Sequence, residues 1–246
     1  VEELGPDNVA AFFAEPIMGA GGVIVPPDGY LTRIRDICTE HGIIYVSDEV
    51  VTAFGRLGHF FASKDVFDIE PDIITSAKGL TSAYAPLSGS IVSEKVFTVF
   101  EKGTDEMGPI GHGWTYSAHP IGAAAGVANL KLVDELGLVE NAGTVGAHLR
   151  AALADAVGDH PNVGEIRGEG MLAAVELVQD RDARKFFDPV GKTTGAVVAA
   201  MRERGVIARA MPQGDIIGFA PPLSLSREEA EKIAGVTAQA LKAALG

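Results

Sequence analysis

Short apolar runs alternate with segments of helical pattern through the first half of the chain. The runs have the length and the bulky apolar residues of buried strands, and they lie near residues 10–15, 43–47, 72–75 and 87–92. The sequence also predicts two helices there, near residues 29–41 and 120–135. Strands that alternate with helices are typical of a mostly parallel sheet covered by helices. The sequence therefore predicts the α/β fold class.

The pattern changes after about Gly137. Apolar residues at helical spacing come first, and further on the sequence predicts a helix and two short strands, near residues 190–204, 206–209 and 215–219. The sequence also predicts a last helix, which starts with Ser226 and Glu229 at the spacing of a capping box. We therefore expect two domains. Residues 1–137 are expected to belong to a large domain, and residues 138–246 to form a smaller α/β domain.

The composition restricts what the protein binds and where it works. Of the 246 residues, 47% are hydrophobic, which is enough for a sizeable core. A formal net charge of -13 repels a phosphate backbone, so we expect no nucleic-acid partner. Cys38 is the only cysteine, which excludes an internal disulfide and suits the reducing cytoplasm, the expected location. No apolar run approaches the roughly 20 residues of a membrane helix, so we expect no membrane association.

The chain begins at Val1, and its first strand-like run, "VAAFFAEPI", follows after only a few residues. A buried parallel strand needs neighbours on both sides. We therefore expect a carboxyl-terminal portion of a longer protein, with the missing amino-terminal half in the same or a separate polypeptide.

Asp48 and Lys78 each follow a central apolar run, in "GIIYVSDEV" and "PDIITSAKG". In neighbouring parallel strands, both side chains fall at the carboxyl ends, where open α/β sheets bind ligands. A carboxylate and a lysine are the side chains that pyridoxal phosphate requires. The carboxylate keeps the pyridine nitrogen protonated, and the lysine forms a Schiff base with the cofactor and later moves a proton. The pair makes pyridoxal phosphate the first cofactor hypothesis.

Four blocks of sequence extend this hypothesis. In chain order they read "AEPIMGAGGVIVPPDGYL", "SDEVVTAFGRLGHFF", "DIITSAKGLTSAYAPLSG" and "GHGWTYSAHPIGAAAG". At similar spacing, they resemble successive blocks of the class III (omega) aminotransferases, and the resemblance covers nearly the whole chain. It implies the fold type I architecture of transferases that depend on pyridoxal phosphate. The chain would supply the carboxyl-terminal part of the large, mostly parallel-sheet domain and a small carboxyl-terminal α/β domain.

The resemblance also implies a role for each matched residue. Asp48 pairs with the pyridine nitrogen, Lys78 carries the cofactor, and Val50 packs against the pyridine ring. Thr115 reaches the phosphate of the cofactor in the neighbouring subunit, so the site is expected to straddle a homodimer interface; whether dimers pair into tetramers stays open. Glu15 lies in the family's Glu-Pro block near the cofactor and has a supporting role.

A further block, "VIARAMPQGDIIGFAPPLSLSREEAE", resembles the carboxyl-terminal block of the same family. In it Arg209 matches an arginine that pairs with a substrate carboxylate, a task that suits a planar guanidinium. Val51 stands where many members that use 2-oxoglutarate have glutamine. An apolar residue there is typical of members that act on omega-amino acids or amines with pyruvate. We therefore expect an aminotransferase that moves an amino group from such a donor to a keto acid, with pyruvate favoured.

Three alternatives stay open. Aminomutases share most of these blocks, so isomerisation is a near alternative. The run "IIYVSDE" also fits a nucleotide-hydrolysing protein that uses Asp48 and Glu49 on a metal, although no Gly-Lys-Ser or Gly-Lys-Thr loop accompanies it. Finally, the family's amino-terminal half, with its phosphate-binding turn, lies outside the sequence. The chain by itself is therefore expected to be inactive, and it could be a piece that completes a partner's site.

Two other patterns carry little weight. Residues 168–173, "GEGMLA", have the spacing of a dinucleotide-binding fingerprint, but a strand-like run follows them where that motif needs a helix. His112 and His119 lack the i, i+4 spacing of a helical metal pair, so we expect no metal site.

Overall fold

The computed structural model describes residues 1–246, which form two compact units. The first unit consists of Val1–Pro16, Pro26–Phe54 and Phe61–Leu136. The second consists of Ile17–Val25, Gly55–Phe60 and Gly137–Gly246, and so includes two short segments from the first half of the chain. The predicted domain division between residues 137 and 138 stays a prediction.

A four-stranded sheet forms the centre of the first unit. Its order is β1-β2-β3-β4, and the strands are Ala11–Ala14, Ile44–Asp48, Ile73–Ser76 and Gly89–Val92. The four predicted strands are confirmed. β1, β2 and β3 are parallel, whereas β4 is antiparallel to β3. The link between β3 and β4 contains no α-helix, only one 3-10 turn, so the chain turns back without the crossover that a parallel pair needs.

Four helices accompany this sheet: α1 (Tyr30–Glu40), α2 (Ala62–Asp65), α3 (Glu94–Met107) and α4 (Pro120–Glu135). The predictions of α1 and α4 are confirmed. Leu31 and Cys38 lie two turns apart on α1 and pack with Ile43, Tyr45 and Ile69 in the core. α3 was not predicted from the sequence, because its apolar run "VFTVF" is β-branched and aromatic and favours a strand.

The second unit packs three helices with an antiparallel sheet. The helices are α5 (Leu138–Val157), α6 (Thr193–Glu203) and α7 (Arg227–Leu245); the strands are β5 (Val163–Glu169), β6 (Leu172–Leu177), β7 (Arg209–Ala210) and β8 (Ile216–Phe219), in the order β5-β6-β8-β7. The core contains Leu149, Leu153 and Ile217, all fully buried. The capping box of α7 is confirmed, since Ser226 and Glu229 each accept a hydrogen bond from the other's backbone N–H.

The structure explains two sequence patterns of this unit. The strand expected at residues 206–209 begins only at Arg209, because the N–H of Val206 bonds to the carbonyl of Met201 and closes the end of α6. The fingerprint spacing at residues 168–173 belongs to the β5–β6 hairpin, where Gly170 has a φ of 51°. No helix begins there, as expected. None of the helices in either unit has the length and apolarity needed to cross a bilayer.

Candidate active site

The carboxyl ends of the three parallel strands form one edge of the first unit's sheet. Glu15 directly follows β1, Asp48 is the last residue of β2, and Lys78 comes just after β3. β2 lies between the other two strands, and neighbouring strands are about 4.8 Å apart. The fold thus brings three of the sequence-predicted site residues to the edge where open α/β sheets bind ligands.

Asp48 is half-buried and pairs with Thr75 in the parallel register of β2 and β3. Its Oδ1 accepts a hydrogen bond of 3.0 Å from the backbone N–H of Val50. This contact turns the chain away from the strand and fixes one oxygen of the carboxylate. The other oxygen, Oδ2, makes no hydrogen bond within the chain and can accept one from a ligand.

Lys78 begins the 3-10 turn Lys78–Leu80 and has an exposed side chain. Its φ is 35°, in a region that residues with a Cβ rarely adopt. Gly79 follows, and a Cβ at Gly79 would lie only 3.3 Å from the Cβ of Phe54. Residues in such backbone conformations concentrate at functional sites, where the surrounding structure holds them in place.

Glu49 points away from the sheet edge although it is the next residue after Asp48. Its side chain is fully buried. Its carboxylate accepts hydrogen bonds from the backbone N–H groups of Ala62 and Ser63, at 2.7 and 2.8 Å, and from the hydroxyls of Ser63 and Thr52. The carboxylate therefore caps the start of α2. A metal shared by Asp48 and Glu49, as the nucleotide-hydrolysing alternative requires, is incompatible with this arrangement.

Of the remaining predicted residues, one lies at this sheet edge and two do not. Val50 is half-buried beside Asp48, at the same sheet edge. Thr115 is exposed in the segment between α3 and α4 and is not on a strand end. Arg209 is exposed on β7 of the second unit, where it pairs with Gly218. The roles of these three residues rest on the resemblance and stay predictions.

Asn129 is a residue of the site that the sequence analysis did not identify. Its side-chain Nδ2 donates hydrogen bonds to the carbonyls of Gly79 and Leu80, at 2.8 and 3.1 Å, directly after Lys78. An asparagine inside a helical pattern is usually a solvated surface residue, so no local signal marks it. The sequence separation of 50 residues between Asn129 and Gly79 hides the contact.

The model of the family described as "Aminotransferase class-III" matches residues 1–241. The chain belongs to the class III aminotransferase family. Among its curated relatives, the diaminobutyrate–2-oxoglutarate transaminase of Halomonas elongata is 52% identical over 237 residues, 96% of this chain and 50% of that protein. The mitochondrial gamma-aminobutyrate transaminase 1 of Solanum lycopersicum is 36% identical over 238 residues, 97% of this chain and 45% of that protein.

Solved structures agree with this class III assignment. A transaminase from work on directed evolution by ancestral reconstruction is 54% identical, with a TM-score of 0.96 over 99% of this chain and 53% of that chain. A sixfold mutant of a thermostable omega transaminase from Pseudomonas jessenii is 40% identical, with a TM-score of 0.93 over 99% of this chain and 54% of that chain. The chain spans about half the length of the relatives it matches.

Class III aminotransferases have the fold type I architecture and depend on pyridoxal phosphate. The residues of this class III chain fit the cofactor. A carboxylate oxygen without a partner at Asp48 suits a protonated ring nitrogen, and the exposed amine of Lys78 follows the adjacent strand. Both groups lie at the same sheet edge, so one bound cofactor can contact both.

Proposed function

We propose that the protein is a transaminase that moves an amino group from an omega-amino acid or amine to a keto acid. The observation that supports this most is the placement of Asp48 and Lys78 at the carboxyl ends of adjacent parallel strands. The chain spans about half the length of its relatives. The activity is therefore proposed for the protein as isolated from its source, together with any further segments that it has there.

Two residues would act on the cofactor and the substrate. Pyridoxal phosphate, when bound, supplies the electron sink that stabilises negative charge at the substrate's reacting carbon. The carboxylate of Asp48 holds a proton on the ring nitrogen through a charge-assisted hydrogen bond. The amine of Lys78 holds the cofactor between turnovers and, when released, moves a proton to and from the substrate carbon.

The other predicted residues would hold the cofactor and define the assembly. Val50 would pack against the ring, and Glu15 would support the site from the end of β1. Thr115 would reach the phosphate bound in the second subunit of a homodimer, and its exposure in the single chain is compatible with such a contact. A cytoplasmic location belongs to the same proposal and rests on the single cysteine, Cys38.

The substrates follow from two residues and two relatives. Two relatives are named for diaminobutyrate and gamma-aminobutyrate. Both compounds carry an amino group at the end of a carbon chain, which supports an omega-amino acid donor. Arg209 would bind the carboxylate of the keto acid. Val51 favours pyruvate as the acceptor, whereas the name of the Halomonas elongata relative favours 2-oxoglutarate as the second candidate. Rates with each acceptor and one amine donor distinguish the two.

Borohydride reduction followed by peptide mass analysis tests the proposal. We expect pyridoxal phosphate to give an absorbance band near the visible edge and, after reduction, a covalent adduct on Lys78. Lys78→Ala should remove both, whereas Lys102→Ala, a change at an exposed lysine on α3, should remove neither. A protein that takes up no cofactor at Lys78 contradicts the proposal. Isomerisation of the donor without amination of the keto acid identifies an aminomutase instead.

A further inference from the structure

The six residues from Lys78 to Ala83, named here the Lys78 turn, have an unusual backbone. Lys78, Ser82 and Ala83 have φ values of 35°, 49° and 64°, although none of them is glycine. Each of these conformations is unfavourable for a residue with a Cβ. A single backbone hydrogen bond joins two residues of the turn, from the Thr81 N–H to the carbonyl of Lys78, and the Leu80 N–H bonds to the carbonyl of Ala77 just before the turn. Other parts of the unit must therefore hold it in shape.

One side chain of α4 contacts three groups of the Lys78 turn. The Nδ2 of Asn129 donates to the carbonyls of Gly79 and Leu80, at 2.8 and 3.1 Å. The Oδ1 of Asn129 accepts a hydrogen bond of 2.8 Å from the hydroxyl of Ser82. The NH2 group and the oxygen of this carboxamide thus both form hydrogen bonds to the turn. The orientation of the amide is thereby fixed, because a flipped amide would place its oxygen, which can only accept, against the two carbonyl oxygens.

The face of α4 that carries Asn129 is shaped for close approach. Gly122, Gly126 and Asn129 are spaced i, i+4 and i+7, so they share one face of the helix. A Cβ at Gly122 would lie 3.2 Å from the carbonyl oxygen of Pro86, and one at Gly126 would lie 3.1 Å from Leu87. The small residues allow the helix backbone to approach the link between β3 and β4, which brings the short side chain of Asn129 within reach of the turn.

We propose that Asn129 is a positioning residue for Lys78. It acts through the backbone, since its partners are the two carbonyls that follow Lys78 and not the amine itself. The proposal rests on the proposed function, in which the Lys78 amine attaches to the cofactor and moves a proton. Loss of the two hydrogen bonds should let the turn relax toward ordinary backbone angles and displace the amine from the reacting atoms. A displacement of about 1 Å can lower a rate by on the order of 100-fold.

Asn129→Asp is the informative substitution. It has nearly the same size and keeps an oxygen that can accept from Ser82, but it replaces the two-bond donor with an acceptor facing two carbonyls. Asn162→Asp is the matched control. Nδ2 of Asn162 donates to the carbonyls of Val178 and Gln179 at 2.9 and 3.2 Å. Asn162→Asp therefore also replaces a two-bond donor with an acceptor. Asn162 belongs to the second unit and is far from the Lys78 turn in the sequence.

The experiment compares wild type, Asn129→Asp and Asn162→Asp as the complete protein, loaded with pyridoxal phosphate. The first readout is the yield and rate of borohydride trapping on Lys78, with the pH titration of the absorbance band. The second is kcat and KM. For Asn129→Asp we expect a shifted titration, slower attachment, and a kcat lower by about 10- to 100-fold with KM changed by less than about threefold. Asn162→Asp should match wild type in each.

The outcomes separate the two proposals. If wild type shows no adduct on Lys78, the proposed function fails. If wild type shows the adduct and Asn129→Asp matches Asn162→Asp, the proposed function stands and the role of Asn129 is wrong. Should Asn129→Asp not fold, Ser82→Ala replaces it, since this change removes only the contact that orients the carboxamide. A smaller loss of kcat in the same direction supports the proposal, and wild-type behaviour of Ser82→Ala in every readout overturns it.

Discussion

Glu49 accepts hydrogen bonds from both the backbone N–H and the hydroxyl of Ser63, which lies 14 residues further along the chain. Adjacent residues of an extended chain point to opposite sides, so Asp48 faces the sheet edge while Glu49 faces the interior. The two acidic residues of "SDE" therefore have different tasks. Asp48 is placed for chemistry, and Glu49 holds the loop that follows Asp48 to the start of α2.

Glu49→Gln should lower the free energy of unfolding. The Glu49 carboxylate accepts hydrogen bonds from four donors. A glutamine amide keeps one acceptor oxygen, but its NH2 group is itself a donor and cannot accept from the donors that it faces. Each buried donor left unpaired costs about 1–3 kcal/mol. Denaturant unfolding measures the change. Glu106→Gln, at an exposed site on α3, should change the value by less than about 0.5 kcal/mol, and an equally small effect at Glu49 would contradict its capping role.

Asp72 should make stability depend on pH in the acidic range. Burial raises the pKa of Asp72, but hydrogen bonds from the Tyr45 N–H, Arg35 and Lys95 outweigh burial and hold the pKa below the ordinary 3.8. A carboxyl with a depressed pKa stabilises the folded state above its unfolded pKa, and this stabilisation is lost as pH falls through the folded value.

Unfolding measured from pH 7 downward tests this prediction with Asp72→Asn. The wild type should be the more stable protein at neutral pH, and the difference should shrink as pH falls below about 4. A difference that is constant over this range would mean that the Asp72 charge contributes nothing.

Two glycine-to-alanine substitutions in helices should have opposite effects. At Gly235, in the exposed middle of α7, nothing lies within 4 Å of a new Cβ, so alanine should stabilise by about 0.5–1 kcal/mol through helix propensity. At Gly146 in α5 a Cβ would overlap the carbonyl of Gly170, and overpacking of this kind costs about 1–3 kcal/mol. Thermal unfolding of both variants measures the contrast, and stabilisation at both sites would show that α5 can move aside.

Arg209→Gln should raise the KM for the keto acid and leave the fold intact. A charge-assisted bond to a carboxylate is worth about 1.5–3 kcal/mol, which corresponds to about a 10- to 100-fold rise in KM. Because Arg209 is exposed, unfolding should change by less than about 0.5 kcal/mol. Steady-state kinetics with varied keto acid give the result, and Arg202→Gln on the exposed face of α6 is the control. An unchanged KM removes Arg209 from the substrate site.

Val51→Gln should shift the acceptor preference toward 2-oxoglutarate. The side chain is half-buried three residues after Asp48, close in sequence to the site. The measurement is the ratio of kcat/KM for pyruvate to that for 2-oxoglutarate, in wild type and variant with one donor. A wild type that already prefers 2-oxoglutarate overturns the interpretation of Val51.

Local pattern was sufficient for most elements of the fold. β1, β2 and β3 and the helices α1 and α4 follow from runs and periodicities that lie within each segment. α3 did not, because its β-branched and aromatic run favours a strand when considered alone. The direction of β4 was also not determined, since it depends on how the chain turns after Lys78.

By itself, the sequence determined that Asp48 and Lys78 end apolar strands, because strand ends are marked by local changes in polarity. Only the tertiary structure decided which neighbouring polar residues serve the site and which serve the fold. Glu49 meets its backbone partners across 13 and 14 residues, and Asn129 meets Gly79 across 50. Such hydrogen bonds depend on the path of the chain in space, which no local pattern specifies.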